Sequence, residues 1–138
     1  MSVPHIEQIK DGDQVLAIIL RAEYEPQGIE FLTAPDQSLQ LGVMKRPTGH
    51  VIEPHVHMPV TRTVNETREA LFIVRGRVLL TFFTERHKSI GTRELGVGDC
   101  VMLIRGGHAF RVLEDCKMIE VKQGPYVGTQ FDKFPLPR

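Results

Sequence analysis

The sequence predicts an all-β fold, a single antiparallel barrel with very little helix. Three observations carry that expectation. The apolar runs are short and recur at even spacing along the 138 residues. Glycine-containing turn signals separate them, as in Asp11-Gly12, Gly96-Val97-Gly98-Asp99 and Gly106-Gly107. Almost no segment carries the helical period, and that combination points to a β-sandwich or barrel.

Taken in order, residues 6–10 alternate weakly and meet Asp11-Gly12, a hairpin signal. Residues 14–21 carry Val-Leu-Ala-Ile-Ile-Leu, too short and too branched for a helix, so a strand is expected. That strand is apolar on both faces and needs cover on both, which suggests a second subunit or a long N-terminal hairpin. Shorter strands follow at 29–32 and 39–44, and a turn at 46–49 leads into His55-Val56-His57. Met58-Pro59 breaks the strand, and residues 61–68 are polar. Residues 70–74, 77–83, 93–95, 100–104, 109–113 and 117–122 read as further strands, with turns at Gly76 and at Glu114-Asp115. The tail after Gly124 holds three prolines and should be irregular. The organisation is one domain, with an N-terminal β arm (1–24), a barrel core (39–122) and the tail (124–138).

Composition narrows the function classes. Lys+Arg and Asp+Glu both number 17, so the basic footprint of a nucleic-acid binder is missing. The longest aliphatic run is far too short to span a bilayer, and the N-terminus has no charged segment followed by an apolar one. A cytoplasmic protein without nucleic-acid or membrane partners is expected. Cys100 and Cys116 then read as small buried apolar side chains.

The chemical signal centres on His55 and His57. Alternate residues of an extended chain point the same way, so two imidazoles would share one face. Imidazole suits Zn, Cu, Fe and Ni, and two ligands seldom suffice. Glu69, which opens an apolar run, and His108, which follows a glycine pair, complete a candidate set of three histidines and a carboxylate. An interior carboxylate at Glu69 needs a partner or a cation. Arg62 and Arg68 could bind an anionic substrate if residues 58–68 cover the barrel mouth. Tyr126 is a further candidate for capping the barrel. His5, His50 and His87 read as ordinary residues.

Gly49, His55, His57, Glu69 and Gly76 resemble the first motif of the cupin superfamily, and Gly98, Asp99, Gly106 and His108 are similar to its second. The resemblance covers residues 49–112. It departs in a longer spacer between His57 and Glu69, which makes Glu66 a rival carboxylate, and in Ile104 where the family has proline. It implies a small jelly-roll barrel, as in small single-domain bacterial cupins, with one divalent transition metal held by His55, His57, Glu69 and His108. It also implies a homodimer joined through the N-terminal arm. The expected function is that of a metal-dependent enzyme of oxygenase or isomerase type acting on a small polar or anionic molecule. The alternatives are a non-catalytic binding or sensing module, and a metal-free sugar isomerase or epimerase with a histidine base.

Overall fold

The computed structural model describes residues 4–137; residues 1–3 of the expected arm and residue 138 of the expected tail lie outside the described residues. It is almost wholly β. The strands are β1 (Ile6–Asp11), β2 (Gln14–Leu20), β3 (Gly28–Phe31), β4 (Gly42–Lys45), β5 (Glu69–Phe83), β6 (Ser89–Leu95), β7 (Cys100–Leu103) and β8 (Gly107–Lys122), followed by one helical turn, α1 (Thr129–Asp132).

The contacts fall into two compact units. One is residues 25–66, where β3 and β4 form an antiparallel pair with Gly28 opposite Lys45 and Phe31 opposite Gly42. The other contains residues 4–24 and 67–137 and holds a six-stranded antiparallel sheet. Its order is β1-β2-β7-β5-β6, with β8 paired to β5, and the sheet curls into a half-barrel.

The N-terminal hairpin forms where Asp11-Gly12 predicts it, with Gly12 at φ 59°. In β2, Leu16, Ala17, Ile18 and Ile19 are all buried within the single chain. Burial of that aliphatic run therefore needs no second subunit. Asp99 ties this arm to the sheet. Its carboxylate accepts hydrogen bonds from the Ala22 and Gly96 amides at 3.0 and 2.8 Å, and pairs with Arg21 at 3.1 Å.

Two expected turns are corrected. Gly76 does not end a strand, and Glu114-Asp115 does not start a new one. β5 and β8 each run through, and irregular pairing between Ile73 and Val78 bends them together. A bulge adds a residue to one strand and shifts the in–out alternation. Accordingly Leu71 and Ile73 face the core before the bend, and Val78, Leu80 and Phe82 after it. Gly76 sits at the bend with φ 86°, and a Cβ there would strike the Asp115 carbonyl oxygen. The bent strands wrap a core that also includes Ala17, Ile19, Leu95, Val101 and Leu103.

The two cysteines are free. Cys100 is buried, and burial pushes its thiol up to about 12. The tail is irregular as expected, save for α1. No helix among the described residues is long and apolar enough to cross a membrane.

Gly76→Ala should destabilise the fold by about 2 kcal/mol or more, because it combines a left-handed backbone with a steric clash. Urea unfolding measures this. Gly12→Ala, at a positive φ with open space around it, should cost less.

Candidate functional site

The bend in β5 builds the site. Glu69 opens β5 and pairs with Leu103 of β7 on one side and Lys122 of β8 on the other. Phe82, near the far end of the same strand, pairs with His108. On a straight strand these two positions would stand roughly 40 Å apart. In the curled sheet, Nε2 of His108 lies 2.8 Å from Oε1 of Glu69. After β7 the chain turns at Gly106, whose φ is 78° and whose added Cβ would strike the Phe83 carbonyl oxygen. That turn delivers His108 beside the start of β5.

Glu69, Glu120 and Lys122 line the same cleft, which is where the alternation of the core-facing Met118 continues. Lys122 meets three carboxylates: Glu69 at 3.8 Å, Glu120 at 3.7 Å and Asp132 at 3.4 Å. The Glu69 side chain is 11% exposed and that of His108 32%, so the pair sits at the edge between core and solvent. A cleft of about 1130 Å³ opens above it. Its polar lining includes Glu69, His108, Glu120, Lys122 and Asp132, with Glu85, His87 and Lys133 also on it. Phe83, Phe110, Phe134 and Leu136 supply apolar walls.

The electrostatics follow from these contacts. The hydrogen bond from His108 holds the Glu69 carboxyl down at about 2, against burial that pushes it up. Glu120 is hydrogen-bonded to Glu69, and next to that ionised carboxylate its own pKa is raised. Burial alone would lower the Lys122 ammonium, but the carboxylates of Glu120, Glu69 and Asp132 outweigh it and raise its pKa. The two carboxyls titrate as a pair, with Glu69 the stronger acid and Glu120 the weaker.

His55 and His57 lie in the other unit, and no strand forms around them. Residues 51–65 have no regular secondary structure, which corrects the expected strand there. Both histidines are exposed, and Val56 between them is 92% exposed. Their rings stand edge to face with centroids 5.4 Å apart. Nδ1 of His55 donates to the Glu53 carbonyl at 2.8 Å, which leaves Nε2 as its lone-pair nitrogen. Among the described residues, no group of three or more His, Cys, Asp or Glu is placed to hold a metal ion.

The remaining candidates divide. Glu66 is exposed and lies in the unit of residues 25–66, whereas Glu69 is buried at the start of β5. Arg62 is exposed in the unit of residues 25–66. Arg68 is buried, and its guanidinium donates to the Ile104 carbonyl, which fixes the end of β7 to the start of β5. Tyr126 is exposed, bonds Thr129 at 2.9 Å and lies over Lys122, whose Nζ is 5.9 Å from the ring centre.

Glu120, Lys122 and Asp132 escaped the sequence reading. In Met118-Ile119-Glu120-Val121-Lys122, the branched residues are the natural choice for the core face. The strand presents the other set to the inside, because at the barrel mouth the inner face opens into the cleft.

Comparison of the chain with protein-family models, with curated proteins and with solved structures returns no match to any of them.

Glu69 generates an acid dependence. Its folded pKa lies below the ordinary value of 4.5, so its contribution to stability is present above 4.5 and is lost as pH falls toward about 2. Acid unfolding of wild type followed by circular dichroism should show this loss, and Glu69→Gln should flatten that part of the curve. Glu120 has the opposite sign. Its raised folded pKa disfavours the folded state as pH rises, so Glu120→Gln should stabilise the protein slightly at neutral pH.

Proposed function

We propose that the cleft binds a small polar molecule and transfers a proton on it, with His108 as the base and Glu69 as the group that orients it. The observation that carries this reading is the 2.8 Å contact between His108 Nε2 and Glu69 Oε1 at the edge of the cleft. With Nε2–H held by the carboxylate, Nδ1 keeps its lone pair and is the nitrogen left for a ligand. When Nδ1 accepts a proton, the imidazolium that forms is stabilised by ionised Glu69. The same carboxylate fixes the tautomer beforehand, as in other carboxylate–histidine pairs.

Lys122 supplies a cation close to the reacting region, suited to an oxygen that gains negative charge as the proton leaves. Glu120, whose carboxyl is raised beside ionised Glu69, lies on the same floor. The walls formed by Phe83 and Phe110 reduce water access and strengthen these interactions. A base and a cation around one cleft suit isomerisation or epimerisation of a hydroxy- or oxo-compound. This is the metal-free alternative drawn from the sequence.

A second reading retains a metal. Nδ1 of His55 bonded to a backbone carbonyl, with Nε2 left open, is the arrangement usual for a metal-ligating imidazole. A divalent ion held with the help of His55 and His57 would supply Lewis-acid chemistry when bound. The resemblance of the residues around His55 and His57 to the first cupin motif supports this reading.

Two measurements separate the readings. Incubating the protein in D₂O with a panel of small hydroxy- and oxo-acids and sugars, followed by proton NMR, should reveal loss of a carbon-bound proton signal. His108→Ala should slow that exchange about a hundredfold or more, while His55→Ala leaves it unchanged. Metal analysis of protein expressed with metals supplied should find well below one equivalent. A full equivalent of transition metal that disappears in His55→Ala would favour the second reading instead.

A further inference from the structure

Lys122 is the cation shared by three carboxyls of the cleft, Glu69, Glu120 and Asp132, none of them nearer than 3.4 Å. Its nearest carboxylate, Asp132 at 3.4 Å, comes from the C-terminal tail. The Asp132 side chain is only 8% exposed, whereas the helical turn that carries it buries no whole residue. The tail's large apolar side chains also remain outside, with Phe131 76% and Phe134 71% exposed. Its hydrogen bonds from Asp132 N to the Gly128 carbonyl and between the Tyr126 and Thr129 hydroxyls are internal. They shape the tail without fastening it to the sheet. Among the described residues, the tail beyond residue 128 meets the body through contacts that include the Asp132–Lys122 pair, the edge of Phe134 against His87 and Leu136 against Gly107.

We propose that Asp132 occupies, on Lys122, the place of a ligand carboxylate, so that the tail is a strap which a small organic acid displaces on entering the cleft. The inference rests on the cleft being a ligand site, as proposed above, and adds the class of ligand and how entry is controlled. The charge arrangement supports it. Glu69 is matched by His108, and Glu120 shares the hydrogen bond of Glu69. With Asp132 withdrawn, Lys122 lacks its nearest counter-charge, and one acidic group restores it. Phe83 and Phe110 on the walls suit an organic remainder better than an inorganic anion. Because the strap and the ligand compete for one ammonium, removing the strap's charge favours the ligand.

The test uses the full chain, benzoate as probe, benzyl alcohol as its neutral counterpart and inorganic phosphate as a third arm. Calorimetric titration should show benzoate binding about tenfold or more tighter to Asp132→Asn than to wild type. Benzyl alcohol should bind both alike, phosphate should gain less than benzoate, and adding Lys122→Met should remove the gain. Amide hydrogen exchange on wild type supplies a readout that needs no variant. Benzoate should speed exchange in residues 129–137 and leave 107–122 unchanged or slower. The proposal is overturned by a benzoate gain within about twofold, by a gain that survives Lys122→Met, or by an equal gain for benzyl alcohol. It is equally overturned by a phosphate gain as large as that of benzoate, by unchanged exchange in the tail, or by no benzoate binding at millimolar concentration. His108 and Glu69 are intact throughout. Failure here therefore leaves the proton-transfer reading standing, and loss of proton exchange in its own test leaves this one standing.

Discussion

A strand that both bends and stays paired is the constraint on which the larger unit depends. β5 keeps one partner, β8, along its whole length, while its other edge changes from β7 to β6 at the bend. The bend is possible because Gly76 reaches a positive φ and has no Cβ to meet the Asp115 carbonyl. From it follow the curl of the sheet, the shift in which residues face inward, and the meeting of the first residue of β5 with the start of β8. A flat sheet of the same sequence would keep Glu69 and His108 far apart.

The second organising element is a buried acid with a structural role. Asp99 receives two backbone amides and Arg21, and thereby joins the turn before β7 to the end of β2. A carboxylate buried in this way is stabilised because each oxygen finds donors. It fixes the edge from which β7 runs beside Glu69. Surface pairs such as Arg77–Glu94, with both side chains about half exposed, contribute little by comparison.

The cleft shows how one sheet supports packing and chemistry on the same face. Toward the closed end its inner residues are Leu80, Met118 and Phe110, which pack. Toward the mouth they become His108, Glu120, Lys122 and Glu69, which retain some water and find partners in one another. Burial and mutual charge act in opposite directions there. The balance holds the Glu69 carboxyl low and raises that of the neighbouring Glu120.

The sequence by itself determined the β class, the N-terminal hairpin and the turns at Gly98 and Gly106, because glycine conformation and apolar alternation are local properties. It also singled out Glu69 and His108, since a carboxylate before an apolar run and a histidine after a glycine turn are visible without a fold. It did not reveal that Gly76 bends a strand, because a bulge and a turn ask the same of a glycine and differ only in whether pairing continues across. Nor did it reveal Glu120, Lys122 and Asp132. Which face of β8 looks inward is decided by its partner β5, and Asp132 reaches Lys122 only through the path of the tail. Tertiary structure likewise set the surroundings of His55 and His57. Alternate spacing places two side chains on one face only where the backbone runs as a strand, and residues 51–65 form none.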